Sequence, residues 1–195
     1  MGIGPAHSPG KTPFKDILEL KPAHYIVLNP DICYQKEYWR LQSRYHEDDL
    51  ETTCEKIRDF MFDSVKKQMQ SDVPVCSLLS GGLDSSIITA IASENYQKEG
   101  KKLDTFSVDY VDQEKNFQKN DFQPNLDEEY IQLMVEKLGT NHHKIVLDTP
   151  ELYQQLKQAM IARDMPGMAD VDSSYLLFFD EIAKTNKVAL SRRVL

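Results

Sequence analysis

Cysteine is scarce in this chain, at three of 195 residues, and tryptophan occurs once. So little cysteine excludes a scaffold built on disulfides. Cys33, Cys54 and Cys76 form neither a C-x-x-C pair nor a metal knuckle, which argues against a thiolate metal centre. An odd, patternless set suits a reducing compartment, so a cytoplasmic protein is expected. Cys54, on a helix face, and Cys76, in a strand, read as small core residues. No apolar run approaches the roughly 20 residues of a membrane span. Met1-Gly2-Ile3-Gly4-Pro5 lacks the basic-then-apolar order of a secretory signal. Basic residues are also in deficit, 23 Lys and Arg against 31 Asp and Glu, for a net charge of −8. That balance disfavours nonspecific binding to nucleic acid or to an anionic membrane. It does not disfavour a nucleotide, because a local nest of N–H groups holds phosphate whatever the global charge.

Two familiar phosphate loops are missing as well. No lysine follows a glycine run in the form G-x-x-x-x-G-K-[ST], and G-x-G-x-x-G is absent. What is present is Ser80-Gly81-Gly82-Leu83-Asp84-Ser85-Ser86. The run Val75-Cys76-Ser77-Leu78-Leu79 leads into it, and Ile87, Ile88, Ile91, Ala92 and Tyr96 lead out at helical spacing. Strand, tight glycine turn and helix N-terminus gather backbone N–H groups and the positive end of a helix dipole at one point. Adjacent glycines let the backbone approach an oxyanion with no Cβ in the way. Ser80, Ser85 and Ser86 add hydroxyl donors. The stretch reads as a phosphate or pyrophosphate cradle; the bland alternative is a glycine turn before a serine-capped helix.

The flanking chain alternates strands and helices. Residues 1–24 have the Gly, Pro and Lys content of loops. His24–Leu28 reads as a strand that must pair with something, and residues 31–48 as a linker. A helix from about Asp49 to Gln70 carries the apolar stripe Cys54, Ile57, Met61, Val65 and Met69, read as core. Thr52 and Glu55 have capping-box spacing, with Asp48 or Asp49 as alternative caps. The helix after the glycine loop stops at Gly100, and Leu103–Val108 is the next strand. Residues 109–126 are polar loop, and a helix runs from Asp127 to Gly139. His143–Leu147 is a third strand; a helix capped by Thr149-Pro150 follows, with Leu152, Leu156, Ala159 and Met160 facing inward. Residues 163–174 read as an acidic loop, Tyr175–Thr185 as a helix and Lys187–Leu190 as a fourth strand. The class is α/β, a parallel twisted sheet covered by helices on both faces. Ligands of such sheets bind beyond the carboxyl ends of the strands, which here carry Ser80–Ser86, Asp109 and Ser191.

S-G-G-x-D-S is the loop of the ATP pyrophosphatase superfamily, and several stretches narrow the match. Residues Phe14–Tyr25 look like the tail of a glutaminase (Ntn-type) domain, and Tyr38-Trp39 like an inter-domain linker. Ser77–Ser86 and Leu138-Gly139-Thr140-Asn141-His142-His143 complete the set. Together they resemble the glutamine-dependent asparagine synthetases. The resemblance implies a HUP-like ATP-pyrophosphatase fold. It also divides the chain into a glutaminase tail over 1–30, a linker over 31–48 and the N-terminal part of a synthetase domain over 49–195.

The implied reaction has two steps. The β-carboxylate of aspartate attacks the α-phosphorus of ATP and expels pyrophosphate; ammonia, drawn from glutamine, then displaces AMP to give asparagine. Carried over residue by residue, Ser80, Gly81, Gly82, Ser85 and Ser86 would hold pyrophosphate, and Asp84 a Mg²⁺ that offsets the leaving group. Leu78 and Val108 would contact the nucleoside, and Asp164 and Asp170 the substrate end. His142 and His143 read as structural. Gly2 stands where the family's glutaminase half has a nucleophilic cysteine, so glutamine hydrolysis is not expected. Val188-Ala189-Leu190-Ser191 approaches a second motif, S-G-E-x-x-D-E, but Arg192-Arg193-Val194-Leu195 departs from it. A truncated, inactive synthetase is therefore expected, with self-association through faces exposed at the cut. Other readings stay open: a β-lactam synthetase-like ligase that adenylates another carboxylate, a tRNA-modifying enzyme, and a nucleotide-binding stub without catalysis.

Overall fold

The computed structural model describes residues 8–118, 126–165 and 167–191. It divides into two compact units, Met1–Asp49 and Leu50–Leu195. In the first, β1 (His24–Leu28) pairs antiparallel with β2 (Cys33–Glu37). The strand expected at 24–28 thus finds its partner inside the stretch read as linker. Asn29 makes the reversal, its side-chain oxygen accepting from the N–H groups of Asp31 (3.0 Å) and Ile32 (2.7 Å), as asparagine does in turns. Tyr25 and Tyr34 meet edge to face across the pair at 6.4 Å.

The second unit is built on a four-stranded parallel sheet. Its strands are β3 (Val75–Leu78), β4 (Asp104–Tyr110), β5 (Asn141–Leu147) and β6 (Val188–Leu190), in the order β5-β4-β3-β6. The parallel, helix-covered sheet expected from the alternating pattern is what forms. Helices α1 (Leu50–Gln68), α2 (Leu83–Lys98), α4 (Glu128–Leu138), α5 (Thr149–Arg163) and α6 (Ala169–Ala183) surround it, with the four-residue α3 (Gln113–Asn116) after β4. Successive residues of β3 serve opposite faces, as the pleat requires. Val75 joins Val65, Ile91, Ala92, Leu103 and Leu190 beneath α1 and α2. Cys76 joins Phe106, Phe178 and Ile182 beneath α6. The chain runs from β3 outward to β4 and β5, then returns to place β6 on the other side of β3. The order reverses at β3, so a crevice opens beyond its carboxyl end.

Several elements differ from the sequence reading. Thr52 lies inside α1, so the Thr52–Glu55 pair is not its cap. Cys54 is exposed and Ile57 is 57% exposed. Of the expected stripe only Val65 is fully buried, while Cys54, Ile57 and Met61 line an open apolar cleft with Ile87, Ile91 and Leu138. α5 is capped by Asp148 in a capping box with Glu151, one residue before the expected Thr149. Met160 is 44% exposed, because inward packing of α5 centres on Ala159. α6 begins at Ala169, so Asp170 and Asp172 lie on a helix and not in a loop. β4 continues to Tyr110, into the stretch read as loop, because it pairs along its whole length with β5. The C-terminal part of that stretch, 119–125, lies outside the described residues.

Tyr96 ties α2 to β3. Its hydroxyl accepts from the Val75 N–H (2.8 Å) and donates to the Val75 carbonyl (2.9 Å). Tyr96→Phe strips both partners from one backbone unit. Unfolding by denaturant is expected to show a loss of about 1–3 kcal/mol; an unchanged midpoint would contradict this.

Candidate functional site

The carboxyl end of β3 runs directly into the glycine loop. Leu79 donates its N–H to the Phe106 carbonyl of β4 at 2.8 Å, the last tie before the chain turns. Gly81 then takes φ +74°, and a Cβ there would lie 2.7 Å from the Asp127 carbonyl oxygen. Both facts require glycine. Gly82 is the N-cap of α2, in extended conformation and with no side-chain cap. The bland reading, a serine-capped helix, is therefore not what forms.

The serines close the loop on itself. The Ser80 N–H donates to the Ser85 hydroxyl at 3.2 Å, and the two hydroxyls lie 3.1 Å apart. Ser85 and Ser86 both donate to the Gly82 carbonyl, at 3.0 and 2.9 Å. Ser85 is buried and holds the turn's shape, while Ser80 and Asp84 are exposed. The first turn of α2 presents its N–H groups without a competing cap, and Gly81 and Gly82 put no Cβ over them. These features fit a phosphate group. The exposed Asp84 carboxylate offers one oxygen ligand to a Mg²⁺ held together with phosphate. Among the described residues no group of three or more His, Cys, Asp or Glu is arranged to hold a metal. A magnesium ion here would take one carboxylate and share the rest of its shell with phosphate and water.

Leu78 pairs with Phe106, and Val108 stands two residues further along β4 on the same, α6-facing side. Leu78 is half-buried and Val108 is exposed. Tyr110, at the end of β4, donates its hydroxyl to Ser174 of α6 at 3.1 Å. This contact carries the N-terminal part of α6 to the carboxyl edge of the sheet. Arg163 of α5 pairs with Asp172 of α6 at 2.8 Å, and Asp172 also accepts the Met168 N–H at 2.9 Å. Asp164 follows Arg163 as the α5 C-cap at φ 56°. It therefore lies near the start of α6, but no hydrogen bond or ion pair among the described residues joins it to the glycine loop. Asp170 lies in the first turn of α6, with its side chain outside the described part.

His142 and His143 lie on β5, two strands from β3, in register with Thr105 and Phe106. His142 bonds Thr105 Oγ1 at 3.0 Å and Ser107 Oγ at 3.1 Å, part of a buried polar row that continues through Ser77 and Thr89. Burial pushes its imidazole below the ordinary histidine range. His143 stacks on Phe106, with ring centres 4.7 Å apart, and reaches Asp104 at 3.4 Å. Both rings are occupied by structural partners, as the sequence reading holds.

A charged group that no sequence motif marks lies beside the loop. Lys144 sits between Asp109, at the end of β4, and Glu128, in the first turn of α4, at 2.7 and 3.0 Å. Its pairing with Asp109 raises the lysine's pKa. Period-two alternation along β5 places 142 and 144 on one face, which was a usable signal. The fold-dependent approach of Asp127 to Gly81 left no such trace.

The asparagine synthase family model matches residues 56–192. The chain is 47% identical over 191 residues to asparagine synthetase [glutamine-hydrolyzing] 3 of Bacillus subtilis (strain 168), covering 97% of this chain and 31% of that protein. To asparagine synthetase [glutamine-hydrolyzing] 1 of the same organism it is 34% identical over 99 residues, 50% of this chain and 15% of the relative. It thus spans a third or less of the length of these relatives. The solved NH3-dependent NAD synthetase of Campylobacter jejuni superposes with a TM-score of 0.39 at 17% identity, over 75% of this chain and 57% of that one. That superposition is too loose to carry an argument.

Gly81→Ala is expected to cost about 1–3 kcal/mol, from left-handed backbone strain and the Asp127 clash. Gly82→Ala, at φ −73° with its nearest neighbour at 3.6 Å, is expected to cost less. Equal denaturation midpoints for the two variants would contradict the loop geometry. A histidine with a depressed pKa binds fewer protons folded than unfolded, so stability falls as pH drops through about 6.5 toward the folded value. His142→Gln is expected to flatten that fall, read by unfolding at a series of pH values; an unchanged slope would contradict it.

Proposed function

The chain belongs to the asparagine synthase family, and we propose that its glycine loop binds the phosphates of ATP for the adenylating step of asparagine synthesis. One observation carries the reading: S-G-G-x-D-S forms an uncapped helix N-terminus at the carboxyl end of β3, where the strand order reverses. In the proposed reaction an aspartate β-carboxylate oxygen bonds to the α-phosphorus of ATP. The bond from that phosphorus to the bridging oxygen breaks, and pyrophosphate leaves with the electron pair. Ammonia derived from glutamine then attacks the activated carbonyl, and AMP departs.

The loop geometry and the family resemblance together support these assignments. The backbone of Ser80, Gly81 and Gly82 and the start of α2 would receive the pyrophosphate oxygens. Ser85 and Ser86 keep the Gly82 carbonyl turned away from those anions by hydrogen bonding it. Asp84 would supply the protein's carboxylate to Mg²⁺, which offsets the charge of the leaving group when bound. Leu78 and Val108 would form the nucleoside floor, and Asp164 and Asp170 the substrate end. A glutaminase tail over 1–30, a linker over 31–48, a synthetase portion over 49–195, self-association and a cytoplasmic setting belong to the same reading.

Thermal unfolding with and without Mg-ATP tests it. Nucleotide at about 100 times its dissociation constant is expected to stabilise the chain by about 2.7 kcal/mol. Asp84→Asn is expected to remove most of the Mg²⁺-dependent part and leave the fold intact. Absence of any shift in the wild-type chain would overturn the assignment of the loop. A shift without aspartate-dependent pyrophosphate release would favour a nucleotide-binding domain without turnover.

A further inference from the structure

Lys144 is the one cation bonded to two carboxylates among the described ion pairs, and it lies beside the loop. Its Nζ is 2.7 Å from Asp109 Oδ2 and 3.0 Å from Glu128 Oε2. Asp109 is the penultimate residue of the strand that carries Val108, and Glu128 opens α4. The residue before Glu128 is Asp127, whose carbonyl oxygen faces Gly81 so closely that a Cβ there would lie 2.7 Å from it. A continuous mechanical path therefore runs from the Lys144 ammonium through Glu128 and the start of α4 to the glycine loop. All three side chains are partly shielded from solvent, with exposures of 34%, 23% and 43%, so their charges are screened less than a surface pair's.

We infer that Lys144 is a positioning residue for the glycine loop, clasping the end of β4 to the start of α4 and offsetting one of the two negative charges that meet there beside the phosphate cradle. Both carboxylates approach one nitrogen. Without the ammonium, two like charges face each other across the gap between β4 and α4. The first turn of α4 then moves away, and Gly81 loses the backbone that confines it. The clasp also matters electrostatically. A polyphosphate entering the loop meets a cluster of net −1 with the lysine and −2 without it. The second effect rests on the ATP reading of the previous section; the first does not.

Two measurements separate these effects. Amide hydrogen exchange on the unliganded chain reads the mechanical one. Lys144→Met and Lys144→Gln are expected to speed exchange in Ser80–Ser86 and Asp127–Ile131 and to leave Val188–Leu190 unchanged. Lys144→Arg, which can still bridge both acids, is expected to restore protection. Mg-ATP titration of the same proteins reads the electrostatic effect, with affinity expected to fall about five- to tenfold in the Met and Gln variants. Unchanged exchange at the loop would overturn the inference whatever the nucleotide does. Faster exchange everywhere, β6 included, in both neutral variants would also overturn it, since the role would then not be local. If the wild-type chain binds no Mg-ATP yet its loop exchange responds to Lys144, the ATP reading fails and the clasp stands.

Discussion

Gly81 is pressed between two requirements. Its φ of +74° turns the chain from β3 into α2, and the Asp127 carbonyl on its far side leaves no room for a side chain. The remaining parts of the site follow from that close approach. It allows the backbone of the turn to form a surface without side chains at the carboxyl edge of the sheet. It brings the starts of α2 and α4 together, so two positive helix ends lie near one another. The acids there, Asp84, Asp127 and Glu128, are where helix dipoles favour them, and Lys144 offsets the pair that the sheet and α4 bring together.

The glycine loop and its setting were legible in the sequence because every determinant is local. The apolar run, the two glycines and the helical spacing of Ile87, Ile91 and Ala92 all lie within about one turn of structure each. The parallel sheet was legible because strand and helix periods alternate along the chain. What was not legible depends on distant partners. Nothing in Tyr34, Gln35 or Lys36 has strand periodicity; β2 forms because β1 offers an edge and Asn29 a turn. Cys54 and Ile57 follow helical spacing perfectly and yet face an open cleft, since periodicity finds a face and not what covers it. The start of α6 was misplaced because Pro166-Gly167 and the acids after it resemble a loop, whereas Arg163 and the Met168 N–H tie Asp172 into a helix start.

The two sheet faces divide the work. Beneath α6 the packing is aromatic and aliphatic, with Cys76 so buried that its thiol is pushed up to about 11 and is inert. Beneath α2 and α4 it includes a row of hydrogen-bonded Ser, Thr and His side chains, and the described residues contain no buried side-chain donor or acceptor without a partner. Such a network specifies register, because a slip of one residue would leave each member unsatisfied. Register in turn decides which residues of β3 and β4 reach the crevice. The family match over residues 56–192 covers this framework together with the loop.

The central claim is that the turn between β3 and α2 is a phosphate site. Amide chemical shifts of the chain titrated with magnesium pyrophosphate test it without requiring nucleoside or turnover. The account predicts shifts concentrated at Ser80–Ser86, with a smaller response near Asp127 across the Gly81 contact and none at Asn141–His143. Shifts that are absent from the loop, or that centre on the cleft between α1 and α2, would contradict it.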